Sequence, residues 1–279
     1  MRENEAVWTK ERVWKGLHRL AAAPPEGLEE VAGGIFSPDA GWLGSHPLNR
    51  LSDVREMVEK LWRPLKKAFP DLVRRDDIFM GGYFDGAGWI SATGYYYGSF
   101  ERDWLRIPAT HDGLVLTAQS DVEGEKSLRL VEEMLFEGLV QPDRASMHME
   151  RYWTPDMMWY GPGLIGTTRG IDGFFEHHQE PWDASIPDAN GGNHVSRFAD
   201  GPYVASTGWP SIYATHTGVF FDIPPTGKSL QIRVMNWWRR EGDLLAENWI
   251  FIDFPHAFLQ LDIDLFARMA RWRDARREG

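Results

Sequence analysis

The chain has 279 residues, and 41 acidic against 30 basic side chains give it a formal charge of −11. Its 43% hydrophobic and 25% charged content is that of a globular protein and excludes a disordered or collagenous chain. The acidic balance lacks the clustered Lys/Arg that phosphate contacts need, so no nucleic-acid partner is expected; the absence of cysteine excludes disulfides, thiolate catalysis and cysteine-held metal sites.

The opening residues, Met1-Arg2-Glu3-Asn4-Glu5, are too charged to begin a signal peptide. No apolar run approaches the roughly 20 residues of a membrane span, so no membrane partner is expected. A cytoplasmic protein is expected. A first helix is predicted near residues 8–22, then a Trp/Gly segment at Gly41-Trp42-Leu43-Gly44, then a helix over 53–67. Strands follow, with turns at Gly81-Gly82 and Gly86-Ala87-Gly88. A further helix is predicted over 126–140, where Leu128, Val131, Leu135 and Leu139 form a stripe. Met158-Trp159-Tyr160-Gly161 and a helix over 170–178 come next, then strands turning at Asp200-Gly201-Pro202. Residues 229–240 and 244–253 read as a hairpin joined at Glu241-Gly242-Asp243. Residues 254–273 read as a closing helix with Pro255 in its first turn.

These elements repeat at an offset of 117 residues. Trp42 falls on Trp159 and Pro70-Asp71 on Pro187-Asp188. Val54, Met57 and Val58 fall on Ile171, Phe174 and Phe175, helically spaced and apolar in both copies. Further on, at a nearly constant offset, Ala92-Thr93-Gly94-Tyr95-Tyr96-Tyr97-Gly98 resembles Ala214-Thr215-His216-Thr217-Gly218, and Ile107-Pro108-Ala109-Thr110 resembles Ile223-Pro224-Pro225-Thr226. The prediction is two tandem α+β domains: a truncated or degenerate first one over residues 1–118 and a complete second one over 119–279. The second copy alone holds the late hairpin, so chemistry that needs those strands belongs there.

With 14 Trp, 15 Phe and 8 Tyr, the chain builds bulky cores or lines a cavity for flat apolar ligands. In Ala246-Glu247-Asn248-Trp249-Ile250-Phe251-Ile252-Asp253, strict strand alternation puts Glu247, Trp249, Phe251 and Asp253 on one face. Carboxylates among rings suggest a cavity lining, because a buried acid has a raised pKa and can move protons. The alternative is that both acids sit at strand ends, solvated or salt-bridged. Six residues of strand span about 20 Å, so Glu247 and Asp253 are not a proton-sharing pair. His216 stands mid-strand, suited either to exchanging protons near neutral pH or to a core hydrogen bond; the first copy has Tyr96 near the equivalent place. His194, in a turn before a strand, is a candidate for entering the pocket. Trp159 and Tyr160 are candidates for its floor, while Trp153, Trp182, Trp209, Trp237 and Trp238 are equally good core residues. His177 and His178 are adjacent on a helix and point about 100° apart, so they make no bidentate metal pair. No dinucleotide, P-loop or nucleophile-elbow motif is present, and no metal site is expected.

The order His216-Thr217-Gly218, Pro225-Thr226-Gly227-Lys228, a hairpin, Glu247-x-Trp249-x-x-x-Asp253 and Leu259-Gln260 resembles the SnoaL-like polyketide cyclase, or ester cyclase, group of the nuclear-transport-factor-2-like superfamily. The resemblance covers the second copy almost end to end, and the first copy more weakly. It implies cone-shaped α+β barrels and a cofactor-free lyase or isomerase closing rings on a small, largely apolar carbonyl or ester substrate. It implies Asp253 as general acid/base, with His216 and Glu247 as polar pocket groups. Trp249, Phe251, Trp159, Tyr160, His194 and His178 would contact substrate. It also implies a homodimer. Since fold does not fix function, a non-catalytic small-molecule binding or dimerisation protein on the same fold is the competing expectation.

Overall fold

The computed structural model describes residues 2–99, 123–141 and 143–277. The repeat element at 107–110 and the expected domain boundary at 118/119 lie outside these residues. Backbone packing divides the chain into a unit of residues 1–79, 90–118 and 262–279, and a unit of residues 80–89 and 119–261. Both are α+β, as expected.

In the first unit, α1 (Arg2–Ala22) and α2 (Leu28–Gly33) precede a two-residue ladder of β1 (Trp42–Leu43) and β2 (Arg50–Leu51). Asp53 then starts a helix by accepting the Glu56 N–H at 2.8 Å, which satisfies one of the free donors of a helix start. The helix runs through α3 (Val54–Met57), a π-helical turn (Val58–Trp62) and α4 (Arg63–Ala68). Its buried face carries Met57, Val58, Leu61, Trp62 and Leu65, packed with Leu20 and Leu28. Strands β3 (Val73–Phe84) and β4 (Ala87–Tyr97) form a hairpin whose end, residues 80–89, belongs to the second unit. Gly81-Gly82, expected as a turn, instead lies within β3. A Cβ on Gly82 would stand 2.9 Å from both the Ala199 carbonyl and the Phe198 ring, so the glycine permits close backbone approach instead.

In the second unit, α5 (Gly124–Glu133) runs into a π-helical turn (Met134–Gly138), then α6 (Arg144–Met147). Strands β5 (Trp153–Tyr160) and β6 (Thr167–Arg169) lead to a second helix: α7 (Gly170–Phe174), a π-helical turn (Phe175–Gln179) and α8 (Glu180–Ser185). The rest of the sheet is β7 (Asn190–Gly191), β8 (His194–Asp200), β9 (Tyr203–Thr215), β10 (Ser229–Glu241) and β11 (Leu244–Ile252). Its order is β6-β5-β11-β10-β9-β7, with β8 also paired to β9. The pair β11–β5 is parallel and the rest are antiparallel. The core lies between this sheet and the helices, where Val131, Met134 and Phe175 meet Trp153, Trp159, Trp238 and Leu245. Burying a ring such as Phe175 contributes about 1.5–3 kcal/mol.

The expected hairpin forms, turning at Gly242 with φ +59°, a left-handed conformation that suits glycine. The expected single closing helix is two: α9 (Phe254–Gln260) and α10 (Leu265–Arg277). Asp262 sits at φ +65°, which ends the first, and Asp264 accepts the Ala267 N–H at 2.9 Å, which starts the second.

Candidate functional site

A cavity of about 330 Å³ opens in the second unit, between the π-helical end of α5 and strands β7 to β11. Its walls are mostly apolar: Leu135, Phe136 and Leu139 from the helix face Val234, Trp238 and Ile250 from the sheet. Alternation explains the sheet side. On β10 the even positions Val234, Asn236 and Trp238 face the cavity, and on β11 Ile250 does the same.

The polar groups of the cavity come mainly from β8 and β9. His194 and Arg197 are three apart in sequence, so strict alternation would put them on opposite faces. The register against β9 shifts between His194 and Ser196, a bulge that leaves Val195 without an opposite number. Both side chains therefore line the cavity. The Arg197 Nη2 stands 3.4 Å from His194 Nδ1, and Ser206 Oγ is also 3.4 Å from that nitrogen. Burial lowers the His194 pKa and the neighbouring Arg197 charge lowers it further, so the ring is neutral at pH 7. Burial also pulls the Arg197 pKa down, opposed by Glu132, but the guanidinium stays charged.

Of the residues expected at the site from sequence, His194 alone lines this cavity. Asp253 is not part of β11 and does not line this cavity. It lies beyond the strand, where its Oδ1 accepts the His256 N–H and starts α9. Its Oδ2 is 3.2 Å from Arg233 Nη1, and it is buried. Both carboxylate oxygens are thus engaged within the fold, one by a backbone N–H and one by a guanidinium. Glu247 pairs with Arg239 and accepts the Tyr160 hydroxyl at 3.0 Å. It sits on the sheet face opposite Ile250, together with Trp249, which stacks on Tyr160 at 5.4 Å, and with Phe251, which is 60% exposed. The face expected to line the pocket is the outer face.

The remaining candidates are in the core. His216 follows β9 and is fully buried, with Nδ1 3.0 Å from Thr226 Oγ1 and its ring beside Phe220; burial lowers its pKa. Trp159 is buried and stacks on His178 at 4.2 Å. His178 is held among Trp159, Phe174 and Trp182, and desolvation takes its pKa down to about 4. The structure thus gathers Tyr160, Glu247 and Trp249 outside the sheet, and Trp159 with His178 inside the core. Arg197, Asn236 and Ser206 line the cavity without having been singled out in the sequence, because the signal that would find Arg197 is a bulge that alternation cannot reveal. Among the described residues no group of three or more His, Asp or Glu side chains stands ready for a metal ion, and no helix is long and apolar enough to cross a membrane.

No curated protein matches the chain. Solved structures similar to it include wild-type IdmH from Streptomyces antibioticus, 20% identical with a TM-score of 0.41, spanning 50% of this chain and 99% of that one. An NTF2-like protein from Burkholderia xenovorans LB400 is 13% identical with a TM-score of 0.40, over 50% of this chain and 98% of that one. Another from Burkholderia thailandensis E264 is 17% identical with a TM-score of 0.40, over 48% and 96%. The family model for the SnoaL-like polyketide cyclases matches residues 140–261, so that stretch of the chain is similar to this family.

Proposed function

We propose that the second unit is a cofactor-free acid–base catalyst of the cyclase or isomerase type, acting on a small, largely apolar carbonyl or ester compound in the 330 Å³ cavity. The observation that carries this reading is a neutral imidazole, His194, in a mostly apolar wall beside a fixed cation. Ring closure or isomerisation next to a carbonyl begins with loss of a C–H proton. An uncharged imidazole can take that proton and return it to the product, and a cavity that excludes water strengthens every charge interaction made there. Arg197, whose Nη2 is 3.4 Å from His194, places a positive charge next to the base.

The probe for this chemistry is 2-tetralone, a flat ketone with acidic C–H bonds, with deuterium uptake followed by proton NMR. The protein is expected to accelerate uptake, and His194→Gln to lower the rate at least a hundredfold with the fold intact. Because the His194 pKa is depressed, the rate should hold steady through neutral pH and fall only in acid, as the ring protonates. Equal rates for the two proteins would sink the proposal.

A second reading is a non-catalytic binder on the same fold. It is favoured by the placement of Asp253, Glu247 and His216, all three engaged elsewhere in the fold. It predicts binding of 2-tetralone with no deuterium uptake.

Two further expectations belong to this proposal. Met235 and Phe251, 39% and 60% exposed on the outer sheet face, support a homodimer through that face. Phe251→Glu should then abolish a dimer seen by sedimentation. The matching elements at an offset of 117 support descent of the two units from one duplicated domain.

A further inference from the structure

The cavity holds a cation that the fold does not neutralise at close range. The Arg197 side chain is only 7% exposed. Its nearest carboxylate, that of Glu132, is 3.9 Å from Nη1, beyond hydrogen-bond distance, and Glu132 is itself 45% exposed. Its Nη2 reaches His194 Nδ1 only at 3.4 Å. Its Nε is buried with no hydrogen-bond partner. The flat guanidinium lies over the Phe136 ring, 5.0 Å from its centre, which supports the plane and leaves the Nε edge without a partner. A guanidinium carries five N–H donors in a rigid fork matched to a carboxylate. A buried charge whose counter-ion stands 3.9 Å away and half in solvent is costly, and a closer anion would relieve that cost.

We propose that Arg197 is the anchor for a carboxylate on the ligand, so that this cavity takes flat, mostly apolar molecules bearing one carboxylate. This rests on reading the cavity as the small-molecule site, and deepens that reading. The carboxylate would meet the Nε and Nη edge of Arg197, while Leu135, Leu139, Trp238 and Ile250 receive the apolar body. Such a pose puts carbon atoms near the carboxylate within reach of His194, which stands beside the guanidinium. The net charge of −11 on the whole chain makes this buried cation more selective, because anions have little reason to adhere to the rest of the surface.

The test is calorimetric titration with 2-naphthoate and its uncharged isostere 2-naphthamide. The wild-type protein is expected to bind the acid at least tenfold more tightly than the amide. Arg197→Met should lose that preference while still binding the amide, which shows that the cavity has survived. Glu132→Gln removes the competing carboxylate and should tighten the acid several-fold, an effect that a purely structural arginine would not produce. Should Arg197→Met fail to fold, the wild-type preference and the Glu132→Gln gain decide alone. Equal binding of acid and amide by the wild type overturns the anchor and leaves the cavity reading standing. If neither probe binds, both fall.

Discussion

Residues 54–68 and 170–185 make the same helix twice. Each begins as α-helix, passes through a five-residue π-helical turn, and closes as α-helix with a proline in its first two positions. Three residues past the end of each helix, an aspartate accepts a backbone N–H from a residue far along the chain: Asp71 from Ser99, Asp188 from Thr215. The backbones agree, and the buried side chains do not. Leu61, Leu65 and Ala68 in the first helix correspond to His178, Trp182 and Ser185 in the second. The first unit packs this helix against an aliphatic and indole core, with the buried Lys66 donating to the Ala21 carbonyl. The second packs it against an aromatic cluster with polar atoms inside, beside a seven-stranded sheet. Strands β10 and β11, which wall the cavity, have no counterpart among the described residues of the first unit. One helical plan therefore serves two cores, and the sheet decides which unit has room for a ligand.

The largest expected effect tests whether the second core is the tighter one. Phe175 and Val58 occupy the same place in the two π-helical turns and are 1% and 0% exposed. Phe175→Ala removes a ring and leaves a cavity, costing about 3–5 kcal/mol. Val58→Ala removes two methyl groups, costing about 2 kcal/mol at roughly 0.8 kcal/mol each plus a smaller cavity. Urea unfolding followed by tryptophan fluorescence measures both. Equal losses would mean that the aromatic core yields to fill the gap, and that the contrast between the two cores has no energetic weight.

Periodicity made both helices, the late hairpin and the α5 stripe legible, since Val131 and its neighbours on that stripe do pack into the core. It could not tell the inner face of β11 from the outer, because rings stand on the outer one: Trp249 and Phe251 mimic a pocket wall while covering the far side of the sheet. The Asp253 carboxylate was misplaced because Phe254-Pro255 begins a helix, and the residue before it becomes a cap rather than the last position of a strand. Arg197 escaped notice because a single extra residue, Val195, puts it on the face that counting by twos denies it.

The next effect isolates the polar atom in the second core. His178 has a pKa of about 4 in the fold, against an ordinary value of 6.5, because burial disfavours its charged form. Both states are neutral above pH 6.5, so the fold loses nothing there. As pH falls from 6.5 toward 4, the unfolded chain takes up a proton that the folded chain refuses, and stability drops by about 3 kcal/mol at 1.36 kcal/mol per pH unit. Below pH 4 the loss levels off. His178→Leu installs the residue found at the matching position of the first helix. It should flatten this part of the pH–stability curve, read from urea midpoints at pH 7 and pH 4.5. An unchanged slope would place the acid sensitivity elsewhere.

The smallest effect concerns the paired aspartates and sharpens the likeness rather than the difference. The hydroxyl and amide of Ser99 lower the Asp71 pKa, and Thr215 does the same for Asp188. Both carboxylates therefore favour the fold above the ordinary aspartate range and stop doing so as pH falls through their lowered values. Ser99 donates through Oγ at 2.8 Å as well as through its N–H. Ser99→Ala removes only the hydroxyl, so Asp71 should titrate closer to the ordinary value while staying below it, held by the remaining N–H. Asp188, in the other unit, should not move. Carboxyl-carbon NMR titration of the two residues reads both at once. If Asp71 stays put, its pKa depends on something other than this hydroxyl; if Asp188 moves with it, the two loops are not independent versions of one capping device.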